Sequence, residues 1–143
     1  NVVATNGATF YITGVQLEAG SVASPFERRD YGRELMMCQR YYWKNTAGSI
    51  YTSFGAGLFH STTGCSINIQ YPVRMRTSPT AAYGGNVNAY DNAFYNLTSI
   101  SSSYIGTDSA LLQFATSGAT QYRPCLLMAN NDATANINFS AEL

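Results

Sequence analysis

Apolar residues in this chain follow two different rhythms, and the change from one to the other near residue 45 divides it into unlike parts. After that point the rhythm has a period of two. Cys65, Ile67, Ile69, Tyr71, Val73 and Met75 alternate with Ser66, Asn68, Gln70, Pro72, Arg74 and Arg76, the pattern of a half-buried strand with one wet face. Pro72 has no N–H to give a ladder, so this strand is expected at a sheet edge or with a kink near its end. Ala135, Ile137, Phe139, Ala141 and Leu143 alternate in the same way with Asn136, Asn138, Ser140 and Glu142, which predicts a paired strand running to the last residue. Shorter strand candidates lie at 49–54, 93–98, 103–105, 110–115 and 121–128, separated by turns such as Tyr83-Gly84-Gly85-Asn86. About eight short strands with this punctuation predict an all-β domain, a jelly-roll-like antiparallel β-sandwich.

Before residue 45 the period is helical. Residues 29–43 contain good helix formers and no Pro, and Tyr31, Leu35, Cys38 and Tyr42 recur at spacings of four, three and four. Those spacings make the a/d seam of a coiled coil lasting about one and a half heptads. Isolated helices shorter than about 12–15 residues are marginal, so this one must pack on its own β domain or on copies of itself. Which of these Met36 and Met37 face is left open. Further upstream, residues 8–18 place Phe10, Ile12, Val15 and Leu17 in two alternating halves that slip by one at Thr13-Gly14, as in a strand with a bulge. A lone strand cannot satisfy its own edges. It reads as the last strand of a truncated upstream domain, giving three parts: residues 1–20, a linker and short trimerisation helix at 21–44, and a terminal β-sandwich at 45–143.

Composition narrows the function. Eight Lys and Arg balance eight Asp and Glu, and charged residues make up 11% of the chain, less than half of the roughly 25% of ordinary soluble proteins. Nine of those sixteen charges fall within residues 14–44. Nucleic acid and anionic membranes are bound mainly by excess cationic charge, so neither is an expected partner. No apolar run approaches the ~20 residues that span a bilayer, so no membrane insertion is expected. Cys38, Cys65 and Cys125 form no C-x-x-C pair, which supports neither a zinc site nor a disulfide framework. Buried free thiols and folding in a reducing cytoplasm are the simpler expectation.

Candidate chemistry is sparse. His60 is the sole histidine, and nothing in the spacing brings Asp91, Asp108 or Asp132 to it as a triad requires. Paired carboxylates for glycoside hydrolysis, which stand ~5–9.5 Å apart, would have to come from Asp91, Asp108, Asp132 and Glu142. Asp91 and Asp132 lie beside Asn in turn-like runs, where bonding to the local backbone is the ordinary role. No metal-ligand cluster or phosphate-binding loop is present, so no catalytic residue, metal or cofactor is expected. Sugar binding has more support. Aromatic faces stack on the C–H faces of pyranose rings while amides and carboxylates satisfy the hydroxyls, and Tyr83, Asn86, Tyr90, Asp91, Asn92 and Tyr95 supply both kinds of group in one short span.

Three patches carry a resemblance: residues 10–27 with 34–42, residues 71–80 from Tyr71-Pro72-Val73-Arg74-Met75-Arg76, and Asn138-Phe139-Ser140-Ala141-Glu142-Leu143. Together they resemble the C-terminal region of tailed-bacteriophage tail-fibre and related virion proteins. In that family the first patch closes a carbohydrate-binding-module-like sandwich and leads through a short helix into a terminal β domain. The resemblance implies a homotrimer with that domain at the fibre tip, assembled in the host cytoplasm and acting outside the cell as part of the virion. Three copies would bring Tyr31, Leu35, Cys38 and Tyr42 onto a common axis. The expected function is a receptor-binding tip that adsorbs to host cell-surface glycan or lipopolysaccharide. The alternatives are a purely structural fibre cap or decoration module, and a polysaccharide depolymerase tip.

Overall fold

The computed structural model describes residues 9, 11–22, 24–26, 28 and 30–142. Its order of elements is one helix, α1 (Tyr31–Gln39), followed by strands β1 (Tyr42–Thr46), β2 (Ser53–Ser61), β3 (Gly64–Gln70), β4 (Thr80–Gly84), β5 (Val87–Tyr90), β6 (Phe94–Asn96), β7 (Ser99–Ile105), β8 (Ser109–Ala115), β9 (Pro124–Ala129) and β10 (Asn136–Ser140). All pairings are antiparallel. A three-stranded sheet has the order β1-β10-β4, and a seven-stranded sheet the order β6-β5-β9-β2-β3-β8-β7. The protein is a mostly antiparallel all-β fold with one short helix.

Alternation builds the core. On β10, Ile137 and Phe139 are buried between half-buried Asn136, Asn138 and Ser140, and Ala135 and Ala141 extend the buried row at either end. Cys65, Ile67 and Ile69 do the same on β3, and Ala110, Leu112 and Phe114 on β8. The two sheets share this core: the Tyr83 ring of β4 meets Phe114 of β8 edge-on at 5.7 Å. Beside it, Trp43 of β1 stacks on Phe139 at 5.6 Å, and Tyr71 meets both edge-on. Burying such rings contributes more than any other side-chain type.

Several expectations are corrected. β3 leaves its ladder at Gln70, two residues before Pro72, and it lies between β2 and β8 rather than at an edge. The proline therefore removes no ladder bond. β10 ends at Ser140; Ala141 instead donates its N–H to the Tyr41 carbonyl at 2.7 Å, and Leu143 lies outside the described residues. Residues 11–22 form no strand: Tyr11, Ile12, Val15 and Leu17 are exposed, and Gly14 takes a left-handed φ of 69°. Phe10 lies outside the described residues. Glu18 instead closes a local loop, accepting from the Ser24 hydroxyl and backbone N–H and from Gln16, bonds that hold its carboxyl below its ordinary pKa.

The helix is shorter than its heptad spacing predicts. Asp30 caps its start by accepting from the Arg33 N–H at 3.1 Å. It stops at Gln39 because the next residues are claimed by the β domain: Arg76 donates its N–H to the Arg40 carbonyl at 2.8 Å, and Tyr42 enters β1 opposite Ser140. Tyr42 is therefore not part of a helical seam. Tyr31, Leu35 and Cys38 remain on one face, and α1 buries none of its residues.

Candidate functional site

Strand register brings the site together. Tyr90 of β5 pairs with Leu126 of β9, and Leu126 pairs with Ala56 of β2, so these three side chains stand in one row across three strands. Beyond them Ala56, Gly57, Tyr90, Asp91, Pro124, Cys125 and Leu126 line an open cavity of about 280 Å³. Gly57 is obligatory. A Cβ there would sit 1.8 Å from the Ser66 carbonyl oxygen, because β2 passes too close to β3 for any side chain.

The charge in this cavity is unusual for so neutral a chain. The Asp91 side chain is 1% exposed, and both its carboxylate oxygens are shielded from solvent without a hydrogen-bond partner. Arg123 places Nε 3.3 Å from Asp91 Oδ2, an ion pair not aligned as a hydrogen bond. An uncompensated buried carboxylate costs several kcal/mol, which the Arg123 charge offsets. The hydrogen bond with Cys65, and then burial, push the Cys125 thiol above its ordinary pKa, with a smaller push from the Asp91 charge. Cys65 and Cys125 sit on the strands flanking β2 and form no disulfide. They remain buried thiols, as expected; Cys38 is exposed.

An aromatic strip leads to the cavity. The Tyr90 ring lies 4.8 Å from Phe94, and Phe94 lies 5.9 Å from Tyr51. Tyr51 and Tyr122 are both exposed and hold left-handed φ angles of 63° and 66°, a conformation that costs a non-glycine residue about 1–3 kcal/mol. Tyr122 directly precedes Arg123.

Of the six residues singled out for sugar binding, only Tyr90 and Asp91 line this cavity. Asn92 is exposed in the β5–β6 turn next to them. Tyr83 is half-buried, its ring on Phe114 and its hydroxyl donating to the Leu97 carbonyl at 3.5 Å. Tyr95 packs edge-on against Phe59 at 5.1 Å. Asn86 is spent on the neighbouring loop, donating its side-chain amide to the Asn130 carbonyl and its N–H to Asp132. Residue identity did not separate these from Tyr90, because strand parity decides which ring faces the core. Arg123 escaped notice although it is one of only three cations after Lys44, and that scarcity was the available signal.

No protein-family model, curated protein or solved structure matches this chain. The remaining candidate chemistry has local partners. Asp132 accepts from the Thr134 hydroxyl at 2.7 Å and from the Asn86 and Thr134 N–H groups, which hold its carboxyl below the ordinary value of 3.8. Asp108 pairs loosely with Arg74 at 3.9 Å on the surface. His60 Nδ1 shares a hydrogen bond with Ser66 Oγ at 2.9 Å, and Gln113 donates to the same oxygen. Among the described residues no group of three or more metal-ligating side chains occurs, and no helix is long and apolar enough to cross a membrane.

Proposed function

We propose that this chain is the receptor-binding tip of a phage tail fibre, a homotrimeric jelly-roll-like β-sandwich that adsorbs to host-surface glycan. The observation that carries the reading is the aromatic strip of Tyr51, Phe94 and Tyr90 ending at a cavity beside the ion pair of buried Asp91 with half-exposed Arg123. Ring faces for stacking and fixed polar groups beside them are what a sugar needs from a protein surface. The trimer is supported by α1, whose Tyr31, Leu35 and Cys38 share a face that the domain leaves bare. Three weak sites on one particle gain avidity on a repetitive surface.

A purely structural cap is the competing reading, and it draws support from Tyr83, Asn86 and Tyr95, which serve the fold. A depolymerase has less support, since no second carboxylate lines the cavity of Asp91. Light scattering at low micromolar concentration tests the assembly, with a trimer expected; a monomer at every concentration removes that part. A panel of bacterial surface polysaccharides tests the ligand. Tyr90→Ala is expected to lose binding with its mass unchanged, whereas a wild-type protein that binds none of them favours the cap.

A further inference from the structure

We propose that Arg123 anchors a carboxylate-bearing sugar at the Asp91 cavity, so that the glycan recognised is acidic. This rests on the glycan-binding reading above and adds the class of ligand. The two charges of the site are not equally available. The Asp91 side chain is 1% exposed while that of Arg123 is 47% exposed, so the charge an arriving ligand meets is the cation. Asp91 lies behind it and compensates its charge.

The contact is made through Nε at 3.3 Å, at the base of the guanidinium. The two terminal nitrogens remain as a planar fork, the arrangement that binds a carboxylate through two parallel hydrogen bonds. Two other arginines of the β domain are engaged differently: Arg74 faces Asp108 on the surface, and Arg76 lies over the Tyr41 ring at 5.3 Å. Arg123 directly precedes Pro124, which lines the cavity together with Tyr90 and Asp91. That cavity, about 280 Å³, falls just below the ~300 Å³ at which drug-sized pockets begin, a size suited to one sugar ring and not to an extended oligosaccharide. Tyr90 would take the apolar ring face while Arg123 holds the acid.

The test is calorimetric titration of the whole chain with methyl β-D-glucuronide, methyl β-D-glucoside and methyl β-D-glucosaminide, which probe an acid, a neutral and an amine substituent. The glucuronide is expected to bind at least tenfold tighter than the glucoside and to weaken with added salt. Arg123→Gln is expected to abolish that advantage. Because this variant leaves Asp91 unpaired, its fold is checked by two-dimensional NMR. Arg123→Lys keeps the charge but not the fork, and is expected to lose most of the preference in a folded protein. Equal binding of glucuronide and glucoside overturns the acid anchor and leaves the glycan reading standing. Preference for the glucosaminide overturns it differently, by showing that Asp91 itself meets the ligand. No binding of any of the three overturns the proposal, and failure on the polysaccharide panel as well would remove glycan recognition altogether.

Discussion

α1 and β10 are both short, both carry apolar residues at the period of their element, and they end in opposite conditions. On β10, Ile137 and Phe139 are almost wholly buried; on α1, Tyr31 remains 78% exposed and no residue is buried. The difference lies in the neighbours. β10 is central in its sheet, with β1 and β4 satisfying its backbone on both sides and the seven-stranded sheet contributing to the core over its apolar face. α1 is tethered at its end through Arg40 and Tyr41, and none of its residues is buried. Periodicity thus specifies which face is apolar and leaves open what covers it.

The largest test of this contrast is Phe139→Ala, expected to cost about 3–5 kcal/mol in urea unfolding, as for other buried aromatics truncated to alanine. A loss below about 1 kcal/mol would mean that the β10 face is as dispensable as the helix seam. Gly57→Ala asks whether the sheet tolerates any slack where β2 meets β3. Its Cβ would overlap a backbone carbonyl, so a loss of about 3 kcal/mol is expected, at the upper end for overpacking, with the cavity lining disturbed.

Tyr71 gives a smaller effect of the opposite sign. Its hydroxyl is buried without a partner beside Phe139, and burial raises its pKa from 10.0 to about 12. Tyr71→Phe is expected to add about 1 kcal/mol at neutral pH by removing an unsatisfied polar group. The ionised form is disfavoured when folded, so the tyrosine's stability is intact below pH 10 and declines as pH rises from 10 to about 12. The phenylalanine variant lacks that alkaline decline, and an unchanged pH profile would show that Tyr71 is solvated.

The smallest stability effect is expected at Leu35→Ala, less than about 0.5 kcal/mol in the dissociated chain. Its consequence should be seen in the mass of the assembly, read by sedimentation over a concentration series. A large loss in the dissociated chain would show that α1 packs on its own domain, and the contrast with β10 would fail.

The alternating runs on β3, β8 and β10 were legible from residue type alone, because a period of two with β-branched and aromatic residues has one economical solution. β1, β4 and β5 were not, since Trp-Lys-Asn, Thr-Ala-Ala and Val-Asn-Ala have weak local preference and become strands by pairing with neighbours distant in the chain. The termination of α1 before Tyr42 belongs to the same class: helical spacing continued, and pairing of Tyr42 with Ser140 overrode it.

The candidate site divides in the same manner. Tyr90 and Asp91 stood out as an aromatic and an acid beside a turn, but so did Tyr83, Asn86 and Tyr95, which the fold uses internally. The all-β class, the buried alternations and the short helix could be read from the residues alone, because these follow from local period and side-chain chemistry. That β5, β9 and β2 lie side by side emerges only from the folded arrangement. That adjacency buries Asp91 next to Arg123, residues far apart in the chain, and charge pairing across such a separation depends on strand order, for which no local pattern codes.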